Sequence, residues 1–149
     1  MSLQEKVMQD MKSAMKAKDA VALESLRAIK SALLLAQTDK GGGSTLSEED
    51  EVKMVQRLVK QRKDSAAIYI NQGREDLAAT ELSQIAIIEK FLPEQLSEEA
   101  VEQVVQATIN KVGANGMKDM GKVMGLVSKE LAGQADGKTI SNIVRKHLS

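Results

Sequence analysis

Residues 91–113 read FLPEQLSEEAVEQVVQATINKVG. Pro93, the single proline of the chain, lacks an amide donor and disfavours helix in the residue before it. A helix arriving from the N-terminal side must therefore stop. Four residues on, Ser97 offers a side-chain oxygen to a new helix. Glu98 and Glu99 occupy its first turn, where acids complement the positive helix end. Val101, Val104, Val105, Thr108, Ile109 and Val112 recur at three- and four-residue spacing, one face of a helix. Gly113 then supplies a left-handed stop. This grammar predicts an all-α protein divided at the proline: residues 1–92 form an N-terminal four-helix domain, and residues 93–149 a C-terminal three-helix domain.

The same signals recur on both sides, and no window alternates as a strand would. Leu3, Val7, Met11 and Met15 predict a first helix ending near Lys18. Asp19 caps a second helix carrying Leu23, Leu26, Ile29 and Leu33 inward and ending near Thr38. Lys40-Gly41-Gly42-Gly43-Ser44 reads as an open connection. It lacks the Gly-Lys-Ser/Thr of a phosphate loop. Ser47 caps a third helix running to about Gln72, with Val52, Val55, Val59 and Ala66 inward and Gly73 as its stop. A fourth, from about Asp76 to Lys90, carries Leu77, Leu82, Ile85 and Ile88 inward, with Leu92 beyond it. A sixth helix ends at Gly133. Ala135-Asp136-Gly137 is a turn, and a seventh helix from about Thr139 to His147 buries Ile140, Ile143, Val144 and Leu148.

Composition excludes several kinds of chemistry. Tyr69 and Phe91 are the only aromatic residues, so the core is aliphatic. Without cysteine there is no disulfide, thiolate metal site or cysteine nucleophile. The one histidine, His147, reads as a terminal surface residue and leaves no basis for a His-centred triad or metal site. Glu48/Glu49 and Glu98/Glu99 are paired carboxylates, but both pairs sit in first turns, where capping explains them. No cofactor and no autonomous enzyme activity are expected. No apolar run approaches the roughly 18 residues of a membrane span, and the start, MSLQEKV, is unlike a secretory signal. The expected location is cytoplasmic, with no membrane partner.

The 21 basic and 21 acidic residues cancel, but unevenly along the chain. Residues 117–137, MKDMGKVMGLVSKELAGQADG, look helical although Gly121 and Gly125 lie in the interior, each costing roughly 1 kcal/mol against alanine. Four-residue spacing places both on one face, continued by Ser128 and Ala132. Lys118, Lys122 and Lys129 flank this bare ridge. Such a ridge admits another backbone closely, either a neighbouring helix or the phosphate chain of a nucleic acid. A second basic stripe, Lys53, Arg57 and Lys60 with Arg62 and Lys63 at its far end, reads as a solvated helix face or as phosphate contacts. Arg74, in the Gly73-Arg74-Glu75-Asp76 turn, reads as a brace for a carboxylate or as a residue facing a ligand, the structural role being the favoured one.

KQRKDSAAIYINQGREDLAATE (60–81), FLPEQLSEE (91–99), MGKVMG (120–125) and ADG (135–137) stand in this order. Together they resemble the YqeY family over essentially the whole chain. The family's C-terminal part is similar to the tail domain of the GatB subunit of glutamine-dependent tRNA amidotransferases, and to an appended domain of some glutaminyl-tRNA synthetases. The resemblance implies a two-part helical fold and a non-catalytic module that helps grip tRNA. Its implied partners are tRNA and an amidotransferase or aminoacyl-tRNA synthetase. On that likeness Lys118, Lys122, Gly121, Gly125 and Lys129 lie on a tRNA-facing ridge, with the Asp136-Gly137 turn beside it. Carbon–nitrogen ligase kinship describes ancestry here, because the kinase-like body that holds the amidotransferase active site has no counterpart in the chain. The competing expectation is a helical adaptor whose ridge docks a partner helix without RNA.

Overall fold

The structure, a computed structural model, describes residues 1–39 and 46–149. The Lys40–Ser44 connection lies outside the described residues. Seven α-helices appear among them: α1 (Leu3–Ala17), α2 (Ala20–Asp39), α3 (Glu48–Asn71), α4 (Glu75–Ile88), α5 (Glu98–Val112), α6 (Met120–Glu130) and α7 (Gly137–Leu148). Short 3-10 turns occupy Glu89–Phe91 and Met117–Asp119. The described residues contain no strand, and the fold is all-α. The chain divides into two compact units, Met1–Leu92 and Pro93–Ser149.

Local chemistry sets the helix ends. Ser47 Oγ accepts from Asp50 N at 3.1 Å, and Ser97 Oγ from Ala100 N at 3.2 Å. Asp19 Oδ1 accepts from Ala22 N at 3.1 Å and opens α2. Ser2 and Glu5 form a reciprocal capping box on α1. Gly73 and Gly113 follow α3 and α5 with φ of 73° and 66°, a region costly for residues with a Cβ. Lys18 bears the same strain, φ 55°, to end α1.

In the first unit α4 lies against α2 and α3, and α1 against α2. The core contains Val7, Leu26, Ile29, Leu33, Val55, Val59, Ile85 and Ile88, with Phe91 and Leu92 packed on its edge. The four-residue spacing on α1 and the inward expectation for Leu82 are corrected. Met15 is 53% exposed, and Ala14 is buried instead. Steps of four residues drift about 40° each round an α-helix, so three steps from Leu3 carry Met15 well off the core face. Leu82 is 52% exposed. It sits a quarter turn from the direction of Ala78, Ile85 and Ile88, and Gln84 goes inward. Burying that amide needs a partner. Arg62 supplies one, its Nε donating to Gln84 Oε1 at 2.8 Å and its Nη1 to the Leu58 carbonyl at 3.1 Å. Arg62 thus joins α3 to α4 and leaves the exposed basic stripe.

The second unit is a triangle of α5, α6 and α7 around Val101, Val105, Val123, Val127, Leu131, Ile140, Val144 and Leu148. Its entry segment is tied to the α6–α7 turn. Leu96 N donates to the Gln134 carbonyl at 2.9 Å, and Gln95 Nε2 to the Gly133 carbonyl at 2.6 Å. α6 ends at Glu130, before Gly133, which takes φ 79° in the following turn.

Arg74 braces a carboxylate, as its position in the turn suggests. Its Nε and Nη2 donate to Asp76 Oδ1 and Oδ2 at 3.1 and 3.0 Å. The hydrogen bonds from Arg74 hold the Asp76 carboxyl below its ordinary value of 3.8. A lowered folded-state pKa favours the native state above the ordinary range, and that contribution disappears as pH falls through the lowered value. The pair is exposed, so the effect on stability is small. Arg74→Ala should raise the Asp76 titration midpoint to the ordinary range, read by carboxyl carbon NMR, and leave the melting temperature nearly unchanged. In the core, Ile29→Ala should cost about 2–5 kcal/mol. Leu82→Ala should cost less than about 1 kcal/mol. Urea denaturation of the two variants checks both values.

Candidate nucleic-acid interface

The rotation of α6 defines this surface. Val123 and Val127 are completely buried against α5 and α7. One residue advances about 100° round the helix, so Gly121, Gly125 and Ser128 fall on the half turned away from the core. All three are exposed, as are Lys122 and Lys129 on the same helix and Lys118 on the preceding 3-10 turn. A Cβ built on Gly121 or Gly125 would meet nothing within 4 Å. Within the second unit, therefore, no described helix packs on the ridge. Neither glycine has a positive φ, so backbone geometry does not require them either.

Among the described residues, Lys118, Lys122 and Lys129 make no ion pair. Asp119, the acid nearest in sequence to Lys118 and Lys122, accepts from the Asn115 amide at 2.8 Å, and Glu130, adjacent to Lys129, is exposed. The second stripe differs. Lys53 pairs with Glu49 at 3.2 Å, Lys60 lies 3.8 Å from Asp64, and Lys63 lies 3.9 Å from Glu89. Among the described residues Arg57 makes no ion pair. Lys53 and Lys60 are each balanced one helical turn away, and Lys63 by Glu89 on the 3-10 turn after α4. It belongs to the first unit, and the lysine line of α6 to the second.

Asp136 and Gly137 take a structural role that their place in a turn did not announce. Asp136 Oδ1 accepts from Thr139 N at 2.6 Å and caps α7, which begins at Gly137 rather than near Thr139. An acid three residues before a threonine and just ahead of an apolar period is a start signal, so this cap was recoverable. His147 corrects a second expectation. It is not a free terminal residue: its side chain is 23% exposed, and its Nε2 lies 3.0 Å from Glu102 Oε1 on α5. Lys146 Nζ stands 3.8 Å from the same oxygen. Those contacts span more than forty positions, and no local pattern announces them. Among the described residues no group of three or more His, Cys, Asp or Glu side chains could hold a metal ion.

A two-unit helical protein with an uncovered basic ridge on its C-terminal unit is the class that this geometry defines. Residues 4–148 match the family model described as Yqey-like protein, and the chain belongs to the YqeY family. It is 32% identical over 123 residues to "Altered inheritance of mitochondria protein 41, mitochondrial" of Meyerozyma guilliermondii, covering 80% of this chain. The chain spans only 64% of that relative's length. The protein of the same name in Clavispora lusitaniae is 33% identical over 125 residues, covering 82% of this chain and 69% of the relative. The E subunit of glutamyl-tRNA(Gln) amidotransferase from Thermococcus gammatolerans is 40% identical over 58 residues, which are 39% of this chain and 9% of that protein. The likeness to an amidotransferase expected from the motifs is thus found. The cytoplasmic expectation is corrected: relatives matching most of the chain are named as mitochondrial proteins. Composition and the lack, among the described residues, of a helix long and apolar enough to cross a membrane do not specify a compartment, so they could not carry that expectation.

With open space at both glycines, only helix propensity is left to act on substitution. Gly125→Ala, inside α6, should raise the unfolding free energy by about 1 kcal/mol, and Gly121→Ala, in the first turn of α6, should raise it by less, both measured by thermal or urea denaturation. A loss of stability would mean that the ridge is covered.

Proposed function

We propose that the protein is a non-catalytic tRNA-binding accessory factor whose contact surface is the α6 ridge. The observation that carries this reading is the set of three lysines without an ion pair among the described residues, beside Gly125 inside α6 and Gly121 in its first turn, neither of which the fold itself uses. Phosphate contact needs dense positive charge rather than particular bases. Lysine suits it because a point charge on a flexible stem tolerates varied phosphate positions. The bare ridge removes the side chains that would hold a phosphate chain away. Similarity to a protein named for glutamyl-tRNA(Gln) supports the choice of tRNA, and an amidotransferase or aminoacyl-tRNA synthetase as a companion enzyme. Asp136 contributes by fixing the start of α7, and Gly137 by leaving that corner free of a side chain. Lys53, Arg57 and Lys60 form a weaker patch, because two of the three are neutralised within their own helix.

Binding of purified tRNA at two salt concentrations tests the proposal. Affinity should fall steeply with salt, and charge reversal of Lys118 and Lys122 should lower it and flatten the salt slope by about one unit per lost contact. Helicity and melting should hardly move, since exposed charges contribute little to stability. Gly125→Leu should fold normally and bind poorly. Salt-independent capture of a helical partner, with no tRNA binding by the parent, would replace this reading with that of a helix-docking adaptor.

A further inference from the structure

The chemistry of the second unit narrows the kind of RNA that its lysines can hold. Single-stranded nucleic acid is gripped by aromatic side chains that stack on splayed bases, together with a basic track for the backbone. Residues 93–149 contain no phenylalanine, tyrosine or tryptophan. Their one other ring, His147, faces Glu102 at 3.0 Å and lies near the end of α7, not on α6. Arginine could stack in place of an aromatic ring, but the unit's single arginine, Arg145, is in the last turn of α7. The exposed polar side chains on α6 and the 3-10 turn before it are Lys118, Lys122, Ser128, Lys129 and Glu130, of which the lysines and the Ser128 hydroxyl can bind a nucleic-acid backbone. Ammonium groups bind phosphates and a hydroxyl binds a sugar hydroxyl. Neither needs an unstacked base.

Paired RNA presents these groups without cost. A-form helices have a wide, shallow minor groove that displays 2′-hydroxyls between two phosphate ridges. A convex helix face without side chains at Gly121 and Gly125 can enter such a groove, with Ser128 at the sugars. The lysines lie along one flank of the ridge only, and so meet the phosphates of one strand. We infer, resting on the tRNA reading above, that the α6 surface recognises the backbone of base-paired A-form RNA, and that single strands are poor ligands for it.

The test uses the full chain with four probes at low salt: purified tRNA, an RNA hairpin with a fully paired stem, an oligouridine of the same length, and the DNA hairpin of the same sequence. The RNA hairpin should bind about tenfold or more tightly than oligouridine, with a salt slope of about 2–3 for three phosphate contacts. It should also bind more tightly than the DNA hairpin. Ser128→Ala should narrow the gap between RNA and DNA hairpins, and Lys122→Glu should weaken both. Oligouridine binding as well as the hairpin overturns the duplex inference and leaves tRNA binding standing. Equal affinity for the RNA and DNA hairpins overturns the A-form part. Binding of tRNA without the hairpin overturns the inference too, because a tertiary feature of tRNA would then be the ligand. If no nucleic acid binds in a salt-dependent way, the functional proposal fails together with it.

Discussion

Burial of Val123 and Val127 is the constraint on which the second unit depends. Both side chains are fully inside, at the meeting of α5, α6 and α7. A unit of this size has little apolar area to spare, and its core contains no aromatic ring to fill space. Five of its core positions are valines, which lose little further freedom when packed because their rotamers are already restricted. Once those two valines point inward, α6 has one rotation left. Its lysines and glycines must then face away from the core.

The turns around this core are held by polar contacts that repeat the chemistry of the helix ends. Asp136 closes the start of α7, and Gln95 and Leu96 fasten the entry segment to the carbonyls of Gly133 and Gln134. The FLPEQL motif thus has a structural use beyond separating the two units: proline ends one helix, and the residues after it secure the corner between α6 and α7. His147 and Lys146 reach Glu102 from the other end of α7. With both of its ends tied, α7 supports α6 along a fixed line. The ridge therefore rests on a scaffold whose polar groups are satisfied, and among the described residues no buried side-chain polar atom lacks a partner.

Charge is arranged differently on the two units. On α3, lysines and acids alternate at i,i+4 spacing, an arrangement that supports a solvated helix modestly and cancels most of its field. On α6 the flanking lysines have no such acids. Both stripes look alike when only basic residues are counted. They separate when the acids one turn away are included, which is why Arg57 stands out on α3 while all three lysines stand out by α6.

The sequence by itself determined the helices, their caps and stops, and the all-α character, because those depend on residues within a few positions of one another. Ser47, Asp19, Ser97, Gly73 and Gly113 each act locally and were legible as such. Family kinship was legible as well, in motifs that run in order along the chain. Tertiary structure decided which way each helix turned. Met15 and Leu82 fit an inward pattern yet face solvent, since small angular drifts and the choice of neighbours set the rotation. Gln84 went inside and Arg62 became half-buried because each satisfied the other across two helices, and His147 found Glu102 across the unit. The glycine ridge shows the same division. Four-residue spacing put Gly121 and Gly125 on one face, but only the packing of Val123 and Val127 decided that this face would point away from the core of its own unit.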